Sequence, residues 1–161
     1  MARFFEKISF DQFCIDCSDD LNLYKKYELP KRSTKYSAGY DFYSLSNIVL
    51  KPGESKKIPT GVKVSMNNDE VLFLLVRSSM GFKYNIRMCN QVGVIDKDYY
   101  GNSNNEGHIW IKIQNEGKED FEIKIGDAIC QGIFTKFLVT DNEDEIIIER
   151  IDGIGSTNKQ K

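Results

Sequence analysis

The sequence predicts an all-β domain of sandwich, jelly-roll or barrel type behind a short N-terminal helix. Short runs rich in Ile, Val, Phe and Tyr recur from Ala38 onward, separated by turn signals such as Pro52-Gly53, Pro59-Thr60-Gly61, Asn67-Asn68-Asp69, Asn115-Glu116-Gly117 and Gly126-Asp127. The runs alternate with a period of two. Ile109, Ile111 and Ile113 share one face while Trp110, Lys112 and Gln114 share the other, and Phe121, Ile123 and Ile125 repeat the pattern. No long helical segment separates the runs.

Taken in order, Phe10, Phe13, Cys14, Cys17, Leu21 and Tyr24 fall at spacings near three and four and predict a helix over about 10–27. Asp11 is the expected cap and Leu29-Pro30 the break. Ala38-Gly39-Tyr40-Asp41 places Asp41 at the opening of a strand. The apolar run 71–76 leads into Arg77-Ser78-Ser79-Met80-Gly81. Residues 90–101 read Asn-Gln-Val-Gly-Val-Ile-Asp-Lys-Asp-Tyr-Tyr-Gly, expected as a hairpin with Gly93 inside its strand, marking either a bulge or the close approach of a ligand or another backbone. The polar stretch 102–107 is expected as an exposed loop without a catalytic role. Gly126-Asp127 turns the chain into a strand carrying Cys130 and Gln131. The tail 150–161 is polar and glycine-punctuated, leaving one domain over 1–149.

The formal net charge is -2, and no Lys/Arg run stands out, so the footprint of a duplex nucleic-acid binder is missing. No apolar stretch approaches membrane-spanning length and the N-terminus lacks an apolar signal region, so a cytoplasmic location without membrane contact is expected. Cys14 and Cys17 form a Cys-x-x-Cys pair that reads either as a structural or incidental pair or as half of a zinc or redox site. The other half is missing, because His108 is the single histidine and no second cysteine pair exists.

Five segments carry chemistry. Arg77 offers a fixed planar cation for phosphate oxygens, with Ser78 and Ser79 adding hydroxyls and, if a helix starts there, backbone N–H groups. Asp41 and Asp96 suit a hydrated magnesium ion and an activated water. Tyr99 can pack on the flat part of a ligand, and Gly155, Ser156 and Thr157 form a donor-rich stretch that can close over phosphates.

In this order the segments resemble the five motifs of the trimeric deoxyuridine triphosphatases (dUTPases), from about Leu29 to Thr157. The most specific parts are Ser37-Ala38-Gly39-Tyr40-Asp41, Arg77-Ser78-Ser79 and residues 90–101. The N-terminal segment and Asn105-Glu106-Gly107-His108 resemble a bacterial and phage subgroup. The resemblance implies a β jelly roll with a flexible C-terminal arm, assembled as a homotrimer with shared sites, that hydrolyses dUTP to dUMP and pyrophosphate. It implies that Asn90, Gly93, Val94 and Ile95 line uracil and that Tyr99 packs beneath the deoxyribose and excludes a 2′-hydroxyl. Asp96 would orient and deprotonate the attacking water, and Arg77, Ser78, Ser79 and Gln131 would hold the phosphates. Mg2+ would be held by phosphates and waters without a direct protein ligand, Asp41 acting through the surrounding hydrogen bonds.

The tail departs from the family pattern. Ile154 stands where a phenylalanine would cover uracil, and Arg150 is one residue out of register. Ala128 replaces a common arginine. Trp110 is therefore read either as a replacement lid or as a tryptophan buried between sheets. The competing functions are a dCTP deaminase and a non-catalytic nucleotide-sensing or regulatory module.

Overall fold

The structure, a computed structural model, describes residues 3–143, so the expectations for Arg150, Ile154, Gly155, Ser156 and Thr157 lie outside the described residues. The chain runs β1 (Phe4–Lys7), α1 (Phe10–Asp16), α2 (Leu21–Lys26), β2 (Tyr40–Tyr43), β3 (Ile48–Leu50), β4 (Ser55–Pro59), β5 (Val62–Ser65) and β6 (Glu70–Leu75). It continues through α3 (Ser78–Tyr84), β7 (Ile86–Met88), β8 (Gly93–Asp96), a 3-10 turn (Lys97–Tyr99), β9 (Trp110–Asn115), β10 (Phe121–Ile123) and β11 (Ala128–Lys136). Among the described residues the strands form a four-stranded sheet in the order β2-β11-β6-β8, a three-stranded sheet β4-β9-β7, and the pairs β1-β5 and β10-β3. Each of these strand pairings is antiparallel, in keeping with the all-β expectation.

The period of two decides what is inside. Ile109, Ile111 and Ile113 are at most 2% exposed, whereas Lys112 of the same strand faces solvent. They pack with Phe42, Leu50, Ile58, Leu72, Leu74 and Ile129 in the main core. The pattern does not extend to Ile125, which is 54% exposed. The strand stops at Ile123 because Asp127 Oδ2 accepts from the Lys124 N–H (2.7 Å) and Gly126 takes φ +87, closing a tight turn.

The N-terminal segment is two short helices instead of the single helix expected over 10–27. Ser9, not Asp11, caps the first, its Oγ accepting from the Gln12 N–H at 3.1 Å. The chain leaves the helix at Cys17 and restarts at Asp20, whose Oδ1 accepts from the N–H groups of Asn22 (2.8 Å) and Leu23 (3.1 Å). Asp20 favours this capping role over a helix interior, which is why the apolar spacing does not carry through. Phe13 is fully buried with Ile8 and Leu45 in a second small core, ringed by Phe10, Tyr24 and Tyr27. Among the described residues no helix is long and apolar enough to cross a membrane.

The 90–101 segment is not a simple hairpin. β8 pairs with β6, while β7 before it and β9 after it lie together in another sheet. Its tip at residues 90–92 is a tight turn with Gln91 at φ +62. The 102–107 loop also differs from expectation. Asn102 is 8% exposed, and Gly107 and His108 are buried. The Asn102 and Asn105 side chains hydrogen-bond within the loop and to Tyr99, so it folds as a packed unit.

Candidate active site

The cleft that gathers the polar motifs has a volume of about 500 Å³ and opens at one end of the four-stranded sheet. Antiparallel pairing puts Asp41 on β2 opposite Gln131 on β11, and Gln131 opposite Leu75 on β6, two residues before Arg77. Three segments far apart in sequence therefore meet at this end of the sheet. Asp41 is nearly buried and fully committed. Arg77 Nε lies 3.0 Å from its Oδ1 and Nη2 lies 3.5 Å from Oδ2, while Ser33 Oγ donates to Oδ2 at 2.6 Å. The fork holds the guanidinium by two of its donors and leaves a third of the side chain exposed to the cleft.

Gln131 Nε2 donates to the Val76 carbonyl (3.3 Å), tying the β11 side chain to the strand that delivers Arg77. Gly39 makes room for it, since a Cβ there would stand 3.3 Å from Gln131 Cβ and closer still to the amide. α3 begins at Ser78, as the sequence allowed, and Ser78 and Ser79 line the cleft. Sequence reasoning missed Ser33. It sits eight residues before Asp41 in a polar stretch with no period, and only the bridge between Lys31 and Asp41 folds it back.

Asn90, Gly93, Val94, Ile95, Asp96 and Tyr99 form a second group. Gly93 pairs with Leu74 and Asp96 with Val71, so Asp96 stands at the end of β6 opposite Arg77. Six residues of extended chain separate Val71 from Arg77, up to about 20 Å. Among the described residues β8 is the outer strand of its sheet. Gly93 is explained by packing, because a Cβ would come within 3.1 Å of Leu74 Cβ. Val94, 54% exposed, presents an apolar side chain beside that edge. Tyr99 is half-buried; its hydroxyl donates to the His108 carbonyl (2.9 Å) and accepts from Asn105 Nδ2 (2.9 Å).

Trp110 is not brought to the cleft. It is half-buried on β9, with Lys57 Nζ 4.1 Å from its ring centroid and the His108 ring at 5.0 Å. Ala128, at the start of β11, leaves only a methyl group near Arg77 and Ser79. Of the cysteine pair, Cys14 is exposed, and burial pushes the Cys17 thiol up to about 12, with Asp16 adding to the shift. Among the described residues no cluster of His, Cys, Asp and Glu can hold a metal ion.

A dUTPase family model matches residues 25–157, which spans both groups. The chain belongs to the dUTPase family. It is 46% identical over 130 residues to the deoxyuridine 5′-triphosphate nucleotidohydrolase of Lactococcus lactis, covering 80% of this chain and 87% of that one. It is similar to the same-named protein of Haemophilus influenzae at 35% over 118 residues, covering 71% and 74%. The crystal structure of the dUTPase from Streptococcus mutans superposes with a TM-score of 0.69 at 39% identity, covering 86% of this chain and 98% of that chain. The dUTPase from phage phi11 of S. aureus shares the fold at 20% identity, with a TM-score of 0.67 over 92% of this chain and 99% of that one.

Proposed function

We propose that this dUTPase-family chain hydrolyses dUTP to dUMP and pyrophosphate by attack of a water at the α-phosphorus. The observation that carries the reading is the convergence of Asp41, Arg77, Ser78, Ser79 and Gln131 on one polar cleft, all within the residues 25–157 that the family model matches. Arg77 supplies fixed positive charge for phosphate oxygens, and the serine hydroxyls and Gln131 supply hydrogen bonds that fix the chain's direction. The outer edge of β8, with Asn90, reads the uracil edge, and Gly93, Val94 and Ile95 wall it. Tyr99 packs against the deoxyribose. Asp96 orients the water and takes its proton.

The described residues fit magnesium as a partner of the substrate instead of a protein-caged ion. They offer no ligand cluster, and both Asp41 oxygens are turned to Arg77 and Ser33. Bound with dUTP, Mg2+ would neutralise phosphate charge. The phage phi11 relative is described with a coordinated structural Mg(II) ion. Asp41 then acts by holding Arg77.

Asp96 lies at the far end of β6 from Arg77, which supports a homotrimer in which the cleft of one copy meets Asp96 and Tyr99 of another. The tail 150–161, with Gly155, Ser156 and Thr157, lies outside the described residues, and the setting we infer is the cytoplasm. The test is pyrophosphate release with magnesium from dUTP beside dCTP, dTTP and UTP. Release from dUTP alone supports the reading. Ammonia from dCTP with the triphosphate kept intact would replace it with a deaminase, and tight binding without turnover with a sensor.

A further inference from the structure

The 102–108 loop is built around the Tyr99 hydroxyl. A phenol has one proton to donate and can accept as well. Here the proton is directed to the His108 carbonyl at 2.9 Å, and Asn105 Nδ2 donates to the oxygen at 2.9 Å. Asn105 is itself held from behind. Its Oδ1 accepts from Asn102 Nδ2 (2.9 Å) and from the Gly107 N–H (3.1 Å). Asn102 also donates to the Tyr99 carbonyl (2.9 Å), and its Oδ1 accepts from the N–H groups of Asn104 (3.0 Å) and Asn105 (3.1 Å).

The outer side of the loop is fastened to the N-terminal segment. Glu106 accepts from the Ser9 N–H (3.0 Å), from Ser9 Oγ and from Lys63 Nζ (3.1 Å). The His108 ring accepts from the Gly61 N–H at Nε2 (2.8 Å) and donates from Nδ1 to Asp16 (2.6 Å). A half-buried ring with its hydroxyl bound on both sides keeps one orientation, and a loop fixed at both flanks keeps the Asn105 amide in place.

We propose that Asn105 is a positioning residue that sets sugar specificity by clamping the Tyr99 hydroxyl. The proposal rests on the reading above that Tyr99 faces the deoxyribose. A clamped ring cannot turn aside, and its hydroxyl has its proton committed to His108, so a ribose 2′-hydroxyl arriving at the ring finds neither space nor a free donor.

Asn105→Ala tests it. The alanine removes the donor to Tyr99 together with the oxygen that Asn102 and Gly107 use, and leaves no acceptor that could take the Tyr99 proton instead. Binding of dUMP and of UMP is measured by calorimetry on the full chain, beside thermal unfolding. We expect the dUMP:UMP preference to fall about fivefold, the effect of losing the one hydrogen bond to Tyr99, in a chain that still folds with a lower unfolding midpoint. In the Tyr99→Phe background the same change should have no further effect on the preference. An unchanged preference, or an equal loss for both nucleotides that persists with Tyr99→Phe, overturns the clamp. Should Asn105→Ala not fold, Tyr99→Phe decides alone: it keeps the ring, and a full dUMP preference in it overturns the proposal. Turnover of dUTP by the unaltered chain is read separately. Binding preference without turnover removes the reaction and leaves the clamp standing, whereas turnover with an unaltered preference in the variants removes the clamp and leaves the reaction.

Discussion

Arg77 grips both oxygens of Asp41, Nε to Oδ1 at 3.0 Å and Nη2 to Oδ2 at 3.5 Å, and this fork aims the cation of the cleft. Asp41→Asn removes the charge that orients it. We expect kcat/KM for dUTP to fall roughly 10- to 100-fold, as for a lost charged positioning contact. Because Arg77 is a third exposed and can rehydrate, the stability loss is only about 1 kcal/mol. Steady-state kinetics and urea unfolding together check the split; a loss confined to stability would contradict it. Arg77→Lys keeps the charge without the fork and should show a similar kinetic loss.

Gly39 permits the cleft's floor. A methyl group there would push into Gln131, whose amide reaches the Val76 carbonyl beside Arg77. The obstruction is the end of a flexible side chain, so Gln131 can swing away at modest cost. We therefore expect Gly39→Ala to fold with its unfolding midpoint nearly unchanged while KM for dUTP rises about tenfold. Kinetics alongside a thermal melt distinguish this from a folding defect.

Two buried groups set the acid limit of stability. His108 is fully buried, and its Nε2 accepts the Gly61 N–H, so a second ring proton has no acceptor there. Burial lowers its pKa below the ordinary 6.5 and Lys57 acts in the same direction, while Asp16 and Glu106 oppose the shift. Between the folded and unfolded values the unfolded chain binds the extra proton, so stability falls as pH drops below 6.5. Glu70, buried against Arg3, is held at about 2 from an ordinary 4.5, chiefly by the Arg3 hydrogen bond. The sign is the same, so that contribution is lost as pH falls from 4.5 toward 2. The melting temperature should therefore decline in two stages, and Glu70→Gln should shrink the second, to which Asp69 and Glu106, both also lowered, contribute. His108 is the chain's single histidine, so its NMR titration is unambiguous, and a midpoint at or above 6.5 would contradict the first stage.

The strands of the core were legible because one face of each is buried. Ile109, Ile111 and Ile113 announce their burial by spacing alone. The break between the two N-terminal helices was written in Ser18-Asp19-Asp20, but apolar spacing spoke for one helix, and the Asp20 cap won. The split of residues 86–96 between two sheets was not legible, because pairing partners are chosen by tertiary packing. The cleft was legible where its residues cluster in motifs, as at Arg77-Ser78-Ser79, and illegible where a lone side chain closes it. Ser33 and Asn105 act through contacts eight and six residues away in chain, at spacings that follow no helical or strand period.

The placement of Asp96 and Arg77 at opposite ends of β6 makes the shared site testable without a structure of the assembly. Asp96→Asn removes the proposed base and Arg77→Ala the phosphate contact, so each variant alone should lose turnover by two orders of magnitude or more. If each site takes its cleft from one copy and Asp96 from another, subunits exchanged at random between the two variants combine an intact Arg77 with an intact Asp96 in about a quarter of sites. Activity near a quarter of the unaltered protein should then appear after the two are denatured together and refolded. Variants refolded apart and then mixed should stay inactive until subunits exchange. If one chain supplied both residues, every site would carry one of the two defects, and co-refolding would recover nothing. Sedimentation of the same samples checks that the assembly is a trimer before the activity is read.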